Sequence, residues 1–176
     1  MPDKPKADAS RKIVSSAHLA DGGAPSLSEF EYGLFISGNA FERWIVRCMA
    51  AAGHPDLGPL DVMVVHTVNH RARDKRLADI CFVLNIEDTH LVNYALKKLV
   101  KAGLVETEKR GKETVYSSTK QGAEACRRYR TVRELCLVET IKAVGNYDED
   151  EIAAVARFLR ALSGLYDQAA RAATSL

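Results

Sequence analysis

The chain has 176 residues, of which 47% are hydrophobic and 27% charged, a composition typical of a globular protein and not of a disordered one. Its formal net charge at pH 7 is only +2, so contact with a nucleic acid must be argued from the positions of the basic residues and not from their total. No apolar run approaches the roughly 18 residues that cross a bilayer. The basic N-terminus has no apolar signal segment after it, so we expect a cytoplasmic protein without a membrane partner.

Residues 1–25 are rich in Lys, Asp, Ala, Ser, Gly and Pro and lack apolar periodicity, which predicts a flexible N-terminal arm. A helix is predicted over residues 26–54. Ser28 and Glu31 have the spacing of a capping box at its start, and Gly53-His54-Pro55 would end it. Its apolar residues recur at helical intervals and need a partner to bury them, so we interpret this segment as a dimerisation helix.

Residues 55–122 contain a dense succession of short elements. Pro59 and the apolar run after it predict a buried helix with proline in its first turn. Basic residues between positions 71 and 76 then predict a charged loop or a short strand.

A helix-turn-helix pattern follows. A short helix is predicted over about 76–84 and a longer one over about 88–102, with Glu87 or Asp88 capping the second helix and Gly103 ending it. The predicted apolar stripe of the second helix consists of Leu91, Val92, Ala95, Leu96, Leu99 and Val100.

The segments 104–108 and 114–117 predict two strands joined by a turn at Gly111, which makes a basic hairpin, or wing. A long helix should then run to about Val144 and break at Gly145-Asn146, and a last helix should begin after Asp148. The predicted fold is mainly α with a small β-hairpin: a winged helix-turn-helix at 55–122, flanked by dimerisation helices at 26–54 and 123–176.

This order of elements resembles the MarR family of bacterial winged-helix transcriptional regulators. The resemblance rests on Asp79-Ile80-Cys81-Phe82-Val83-Leu84-Asn85-Ile86, on Leu99 to Val105, and on Ser118-Thr119-Lys120-Gln121-Gly122 after the wing. The usual wing of the family carries an Asp-x-Arg signature. Here the tip reads Glu108-Lys109-Arg110-Gly111-Lys112-Glu113 and lacks that aspartate, which indicates a divergent branch.

The polar side chains of the second helix and the cations of the wing are the candidate DNA contacts. Asparagine can pair with adenine and lysine with guanine in the major groove, while hydroxyls and cations can hold phosphates. The candidates are Thr89, His90, Asn93, Tyr94, Lys97, Lys98, Lys109, Arg110 and Lys112. Arg110 is our choice for insertion into the minor groove, with Lys112 as the alternative.

The resemblance implies a homodimer that binds a pseudo-palindromic double-stranded DNA operator and acts as a ligand-responsive repressor. It also implies a small, often aromatic effector, for which Phe41, Trp44, Met63 and His66 are candidate contacts; core packing explains the same residues equally well. Two alternatives stay open, namely a winged-helix protein–protein adaptor without DNA binding and a cysteine-based redox-sensing regulator.

The redox alternative depends on Cys126, because the following Arg127 and Arg128 would lower the pKa of its thiol. Core packing is the other interpretation of all four cysteines, Cys48, Cys81, Cys126 and Cys136, none of which forms a Cys-x-x-Cys pair. His66 and His70 have i, i+4 spacing but no third ligand, so we expect structural histidines rather than a metal site. We expect neither a catalytic site nor a cofactor.

Overall fold

A computed structural model describes residues 24–144 and 148–176. Nearly all of the predicted arm at 1–25 and the predicted break at Gly145-Asn146 therefore lie outside the described residues. The helices are α1 (Pro25–Ala51), α2 (Pro59–Asn69), α3 (Leu77–Leu84), α4 (Thr89–Lys101), α5 (Lys120–Arg133), α6 (Glu139–Val144) and α7 (Glu149–Ala173). The strands are β1 (Lys75–Arg76), β2 (Val105–Arg110) and β3 (Glu113–Ser118).

The chain divides into two compact units, residues 1–126 and 127–176. In the first unit, α2, α3 and α4 pack on one another and on a three-stranded antiparallel sheet of order β1-β3-β2. The largest fully buried side chains come from α1, α2, α3, α4 and the start of β2, so one core holds these elements together. The structure of this unit confirms the predicted mainly α fold with a β-hairpin. In the basic segment between positions 71 and 76, for which a charged loop or a short strand was predicted, Lys75 and Arg76 form the short strand β1.

The helix-turn-helix forms where local signals predicted it. Asn85 ends α3 in the left-handed conformation with a φ of 52°, and Asp88 caps α4 by accepting a hydrogen bond of 2.9 Å from the backbone N–H of His90. At the other end of α4, Gly103 has a φ of 73°, which lets the Leu104 N–H return to the carbonyl of Leu99.

The apolar stripe of α4 is narrower than predicted. Val92, Ala95, Leu96 and Leu99 are buried, whereas Leu91 is 53% exposed and Val100 38% exposed. The two exposed residues flank the stripe, and the partners of α4 cover only its centre. The prediction that Leu91 and Val100 belong to the core was therefore wrong.

Thr119 and Gly122 join the end of α4 to the start of α5. The Thr119 hydroxyl donates to the carbonyl of Gly103 (2.7 Å) and accepts from the Gly122 N–H (3.0 Å), while the Thr119 N–H donates to the carbonyl of Leu104 (3.2 Å). A Cβ at position 122 would overlap that same Leu104 carbonyl. The Ser-Thr-x-x-Gly sequence after the wing is thus a packing requirement.

The first helix begins at Pro25 and not at the Ser28 capping box, because proline is well suited to the first helical position. Its C-terminal part is buried through Ile45, Cys48 and Met49. Its remaining length carries large apolar side chains that are exposed in the described structure. They are Leu27, Leu34, Phe35, Ile36 and Phe41.

The second unit contains the end of α5, a π-helical turn at Glu134–Val138, α6 and α7. The last helix begins after Asp148, as predicted, and the Asp148 side chain caps it by accepting hydrogen bonds from the N–H groups of Asp150 and Glu151. Cys136 lies in the π-helical turn and is exposed, so the prediction that all four cysteines pack in the core was wrong for this one. No helix in the described ranges is both long and apolar enough to span a membrane.

Candidate nucleic-acid interface

The outward face of α4 carries most of the predicted contacts. Thr89, His90, Tyr94 and Lys97 are exposed, with Tyr94 at 73%, whereas Asn93 is half-buried at the edge of this face. The helical spacing places Lys101 on the same side one turn beyond Lys97, and it is also exposed. From the sequence, Lys101 was not predicted as a DNA contact, although the periodicity of α4 already places it on the outward face.

Lys98 lies apart from this face. Its ammonium forms an ion pair of 2.6 Å with Asp61 of α2, and the Asp61 side chain is only 8% exposed. The same carboxylate accepts a hydrogen bond of 2.8 Å from the Gly58 N–H, which closes the first turn of α2. Lys98 therefore fixes α4 against α2, and we leave it out of the proposed contacts.

The wing presents Lys109, Arg110 and Lys112 near its tip, all of them exposed. The guanidinium of Arg110 donates to Glu108 from Nε (3.0 Å) and Nη2 (2.6 Å), and Nη2 also lies 2.6 Å from Asp74. Glu108 and Arg110 have the spacing of the Asp-x-Arg signature, with glutamate in the acidic position. Glu108 was not predicted as a functional residue, although its spacing from Arg110 was a sufficient signal.

The tip end of the wing is tied to α3 through Arg76. Its side chain contacts Asp79 at 3.2 Å and Glu113 of β3 at 3.3 Å. The pKa of Asp79 lies below its ordinary value, mainly because the Arg76 side chain donates a hydrogen bond to its carboxylate. The hydrogen bond from the Arg76 backbone N–H lowers this pKa further. These charges are exposed, so they orient the wing more than they stabilise the fold.

Formal charge cancels within the wing. Residues 105–118 contain three acidic side chains and three basic ones. The acidic residues are Glu106, Glu108 and Glu113, and the basic residues are Lys109, Arg110 and Lys112. The wing therefore offers a few positioned cations and no general positive field.

The four candidate effector contacts lie on α1 and α2 and differ in exposure. Phe41 is 55% exposed, and Trp44, Met63 and His66 are half-buried. His66 lines a cavity of about 340 Å³ whose other lining residues are not among the candidates. These are Thr67, His70, Lys75 and Val83.

Cys126 is buried, and its Sγ lies 4.0 Å from the carbonyl oxygen of Val65. Burial limits access of an oxidant, so the geometry gives no support to a sensing role for this thiol. Burial also raises the pKa of the Cys81 thiol, which keeps that group protonated and unreactive.

Residues 57–122 match the sequence model of the winged helix DNA-binding domain. The matched range contains α2, the helix-turn-helix, the sheet and Gly122, so it includes the outward face of α4 and the wing. A comparison with curated protein sequences finds no match.

Among solved structures, the chain is similar to a MarR family regulator from Neisseria meningitidis, with a TM-score of 0.61, 18% identity, and coverage of 81% of this chain and 94% of that one. A MarR family transcriptional regulator from Rhodococcus sp. RHA1 gives a TM-score of 0.60 at 12% identity, covering 80% and 96%. Apo MarR from E. coli gives 0.55 at 16% identity, covering 75% and 95%. The chain therefore has the fold of MarR family regulators.

Proposed function

We propose that this chain, which has a winged helix domain and the fold of MarR family regulators, is a sequence-specific DNA-binding transcriptional regulator. The observation that carries the proposal is the outward face of α4. It is polar, exposed and basic at its C-terminal end, and it stands beside a wing with cations near its tip. The major groove of B-DNA accepts a helix of this kind, with its N-terminal residues nearest the base edges.

We assign base contacts to His90 and Asn93, which lie in the first half of α4. Asparagine can form a bidentate pair with adenine, which no single cation on phosphate can replace. Thr89, Tyr94 and Lys97 are assigned to phosphates through hydroxyl and ammonium groups.

In the wing, Arg110 is the proposed minor-groove residue. Glu108 occupies its Nε and Nη2, Asp74 also pairs with Nη2, and Nη1 has no hydrogen bond to a residue in the described ranges. The planar guanidinium can thus be held by Glu108 and Asp74 and present Nη1 to DNA. Lys109 and Lys112 are assigned to phosphates on either side.

A homodimer completes the proposal. The described part of α1 exposes the large apolar side chains named above, and α7 exposes Ile152, Val155, Phe158 and Leu165. Exposed apolar patches of this kind are typical of surfaces that associate with another protein. Two copies of α4 related by a two-fold axis would enter successive major grooves about 34–36 Å apart. The operator would therefore be pseudo-palindromic.

A small aromatic effector is the remaining part of the proposal, and it would make the protein a ligand-responsive repressor. Such a ligand can shift the DNA-competent population only by its difference in affinity for the two states. Phe41, Trp44, Met63 and His66 stay its candidate contacts.

Titration against duplex DNA from the protein's own upstream region, with a scrambled duplex of equal length, tests the DNA-binding proposal. We expect a preference for the upstream duplex that is lost in Asn93→Ala. The matched control is Gln168→Ala, which removes an exposed side-chain amide from α7, off the apolar face of that helix, and should keep the preference. Equal affinity of the wild type for both duplexes would contradict sequence-specific binding, and absence of binding to either would favour the adaptor alternative.

A further inference from the structure

The basic residues between α2 and β3 fall into two groups. Lys75, Arg76, Lys98 and Arg110 are each held by a carboxylate or by backbone carbonyls. A second group is exposed and forms no ion pair with any residue in the ranges 24–144 and 148–176. It consists of Arg71, Arg73, Lys97, Lys101, Lys109 and Lys112. Only Arg71 and Arg73 of this group lie outside α4 and the wing.

These two arginines lie in residues 70–74, here called the α2–β1 loop. The Lys75 ammonium holds this loop against the end of α2. It donates hydrogen bonds to the carbonyls of His70 (2.7 Å) and Arg73 (2.8 Å) in the loop and to the carbonyl of Val68 (3.2 Å) in α2. The ammonium thereby satisfies carbonyls that the end of α2 leaves without helical partners.

The backbone of the loop is unusual at two consecutive residues. Arg71 has a φ of 62° and Ala72 a φ of 44°. Residues other than glycine adopt this left-handed backbone region only at a cost in conformational energy. The bonds from Lys75 on both sides of these residues keep the loop in this conformation. The loop therefore presents Arg71 and Arg73 from a fixed backbone and not from a freely moving one.

Contacts also place the loop beside the wing. Asp74 forms an ion pair of 2.6 Å with Arg110, and β1, which follows directly, pairs with β3. The loop and the wing thus share a side of the first unit.

We propose that the α2–β1 loop is a third DNA-contacting element, in which Arg71 and Arg73 bind phosphates of the duplex backbone. This inference rests on the proposed function. A loop of this size does not enter the major groove as a helix or β-ribbon does, which favours phosphate contact over base contact. Arginine suits the task because its guanidinium can bind two phosphate oxygens at once.

The test is the salt dependence of duplex binding in Arg71→Gln/Arg73→Gln. Each phosphate contact contributes about 0.9 to the slope of log K against log salt, so the loss of two arginines in each protomer of a dimer should lower the slope by about 3.6. Preference for the upstream duplex over the scrambled one should remain, because phosphate contacts do not read sequence. Arg71→Lys/Arg73→Lys keeps the charges and should restore most of the slope.

The matched control is Arg157→Gln/Arg160→Gln, which removes two exposed arginines from the side of α7 that its apolar residues do not occupy. We expect its slope to be that of the wild type. An unchanged slope in the loop variant would overturn the inference while leaving the proposed function intact, and so would an equal decrease in the control. Failure of the wild type to bind any duplex would instead contradict the proposed function itself.

Discussion

Gly122 shows how a single residue fixes the approach of two elements. The first turn of α5 passes so close to the carbonyl of Leu104 that no side chain fits between them. The Thr119 hydroxyl also connects the two elements, since it donates a hydrogen bond to the carbonyl of Gly103 and accepts one from the N–H of Gly122. The geometry of this joint is therefore set by two residues next to the wing.

We expect Gly122→Ala to destabilise the fold by about 1–3 kcal/mol, because the added methyl group meets backbone that cannot rotate away. Urea unfolding followed by circular dichroism measures this change. Gly33→Ala is the control, since nothing lies within 4 Å of a Cβ at Gly33, and there we expect a gain of about 0.5–1 kcal/mol. An equally stable Gly122→Ala protein would show that α5 does not need this close approach.

Lys98 and Lys97 are neighbours in α4 with opposite surroundings. Lys98→Ala leaves the buried Asp61 carboxylate with only the Gly58 N–H as partner, so we expect a loss of about 1–3 kcal/mol in the free energy of unfolding. Lys97→Ala removes an exposed lysine without an ion pair in the described ranges and should change stability by less than about 0.5 kcal/mol. Equal effects of the two substitutions in the same unfolding experiment would contradict the structural role of Lys98.

At the scale of elements, the wing acts through the placement of its charges. Arg110 is held by Glu108 and Asp74, and Arg76 connects Glu113 to Asp79 of α3. Four carboxylates therefore fix the orientation of the side chains of Arg76 and Arg110. An element without net charge can still bind DNA if its cations are held toward the phosphates or the minor groove.

This arrangement predicts an effect of unusual sign for Glu108→Gln. Removal of a negative charge beside DNA normally strengthens binding, but here it removes one of the two carboxylates that hold Arg110. We expect duplex affinity to fall by about 1.4- to five-fold, in line with the 0.2–1 kcal/mol of an exposed ion pair. Glu106→Gln, on the same strand but bonded to Ser117, should leave the affinity unchanged or raise it. Tighter binding by Glu108→Gln, measured by fluorescence anisotropy, would rule out an orienting role.

The sequence was sufficient for elements that depend on neighbours in the chain. The Asp88 cap, the Gly103 ending of α4 and the turn at Gly111 are set within a few residues and were predicted. The ion pair between Lys98 and Asp61 could not be predicted, because Asp61 lies 37 residues away and no local pattern shows that contact. Leu91 was assigned to the core for a related reason, since the width of a buried stripe depends on the elements that cover it.

At the scale of the whole molecule, exposed large apolar side chains lie on α1 and α7, outside the matched winged helix domain, and also on α3 and α4 within that domain. Within the domain, Phe82 of α3 is the most exposed of them at 86%. Burial of one such side chain contributes about 1.5–3 kcal/mol. Surfaces of this kind are covered when two copies associate, which is the basis of the proposed dimer.

We expect Phe35→Ser/Ile36→Ser to raise the dimer dissociation constant at least about tenfold, since each protomer would lose two apolar contacts. Sedimentation velocity over a range of protein concentrations measures this shift. Phe82→Ser removes a more exposed phenylalanine from α3 and should leave the association unchanged. An equal rise of the dissociation constant in both variants, or no rise in either, would show that α1 is not the dimer surface.

The cancellation of charge within the wing also bears on how such a protein finds its target in a genome. Every phosphate that a cation neutralises strengthens attachment to DNA of any sequence, and non-target sites outnumber the target by about 10⁶–10⁹. A wing with three acidic and three basic side chains adds to that background attachment only through the few cations that reach phosphates. We therefore expect short residence on non-target DNA, so that a larger share of the molecules is available for the operator.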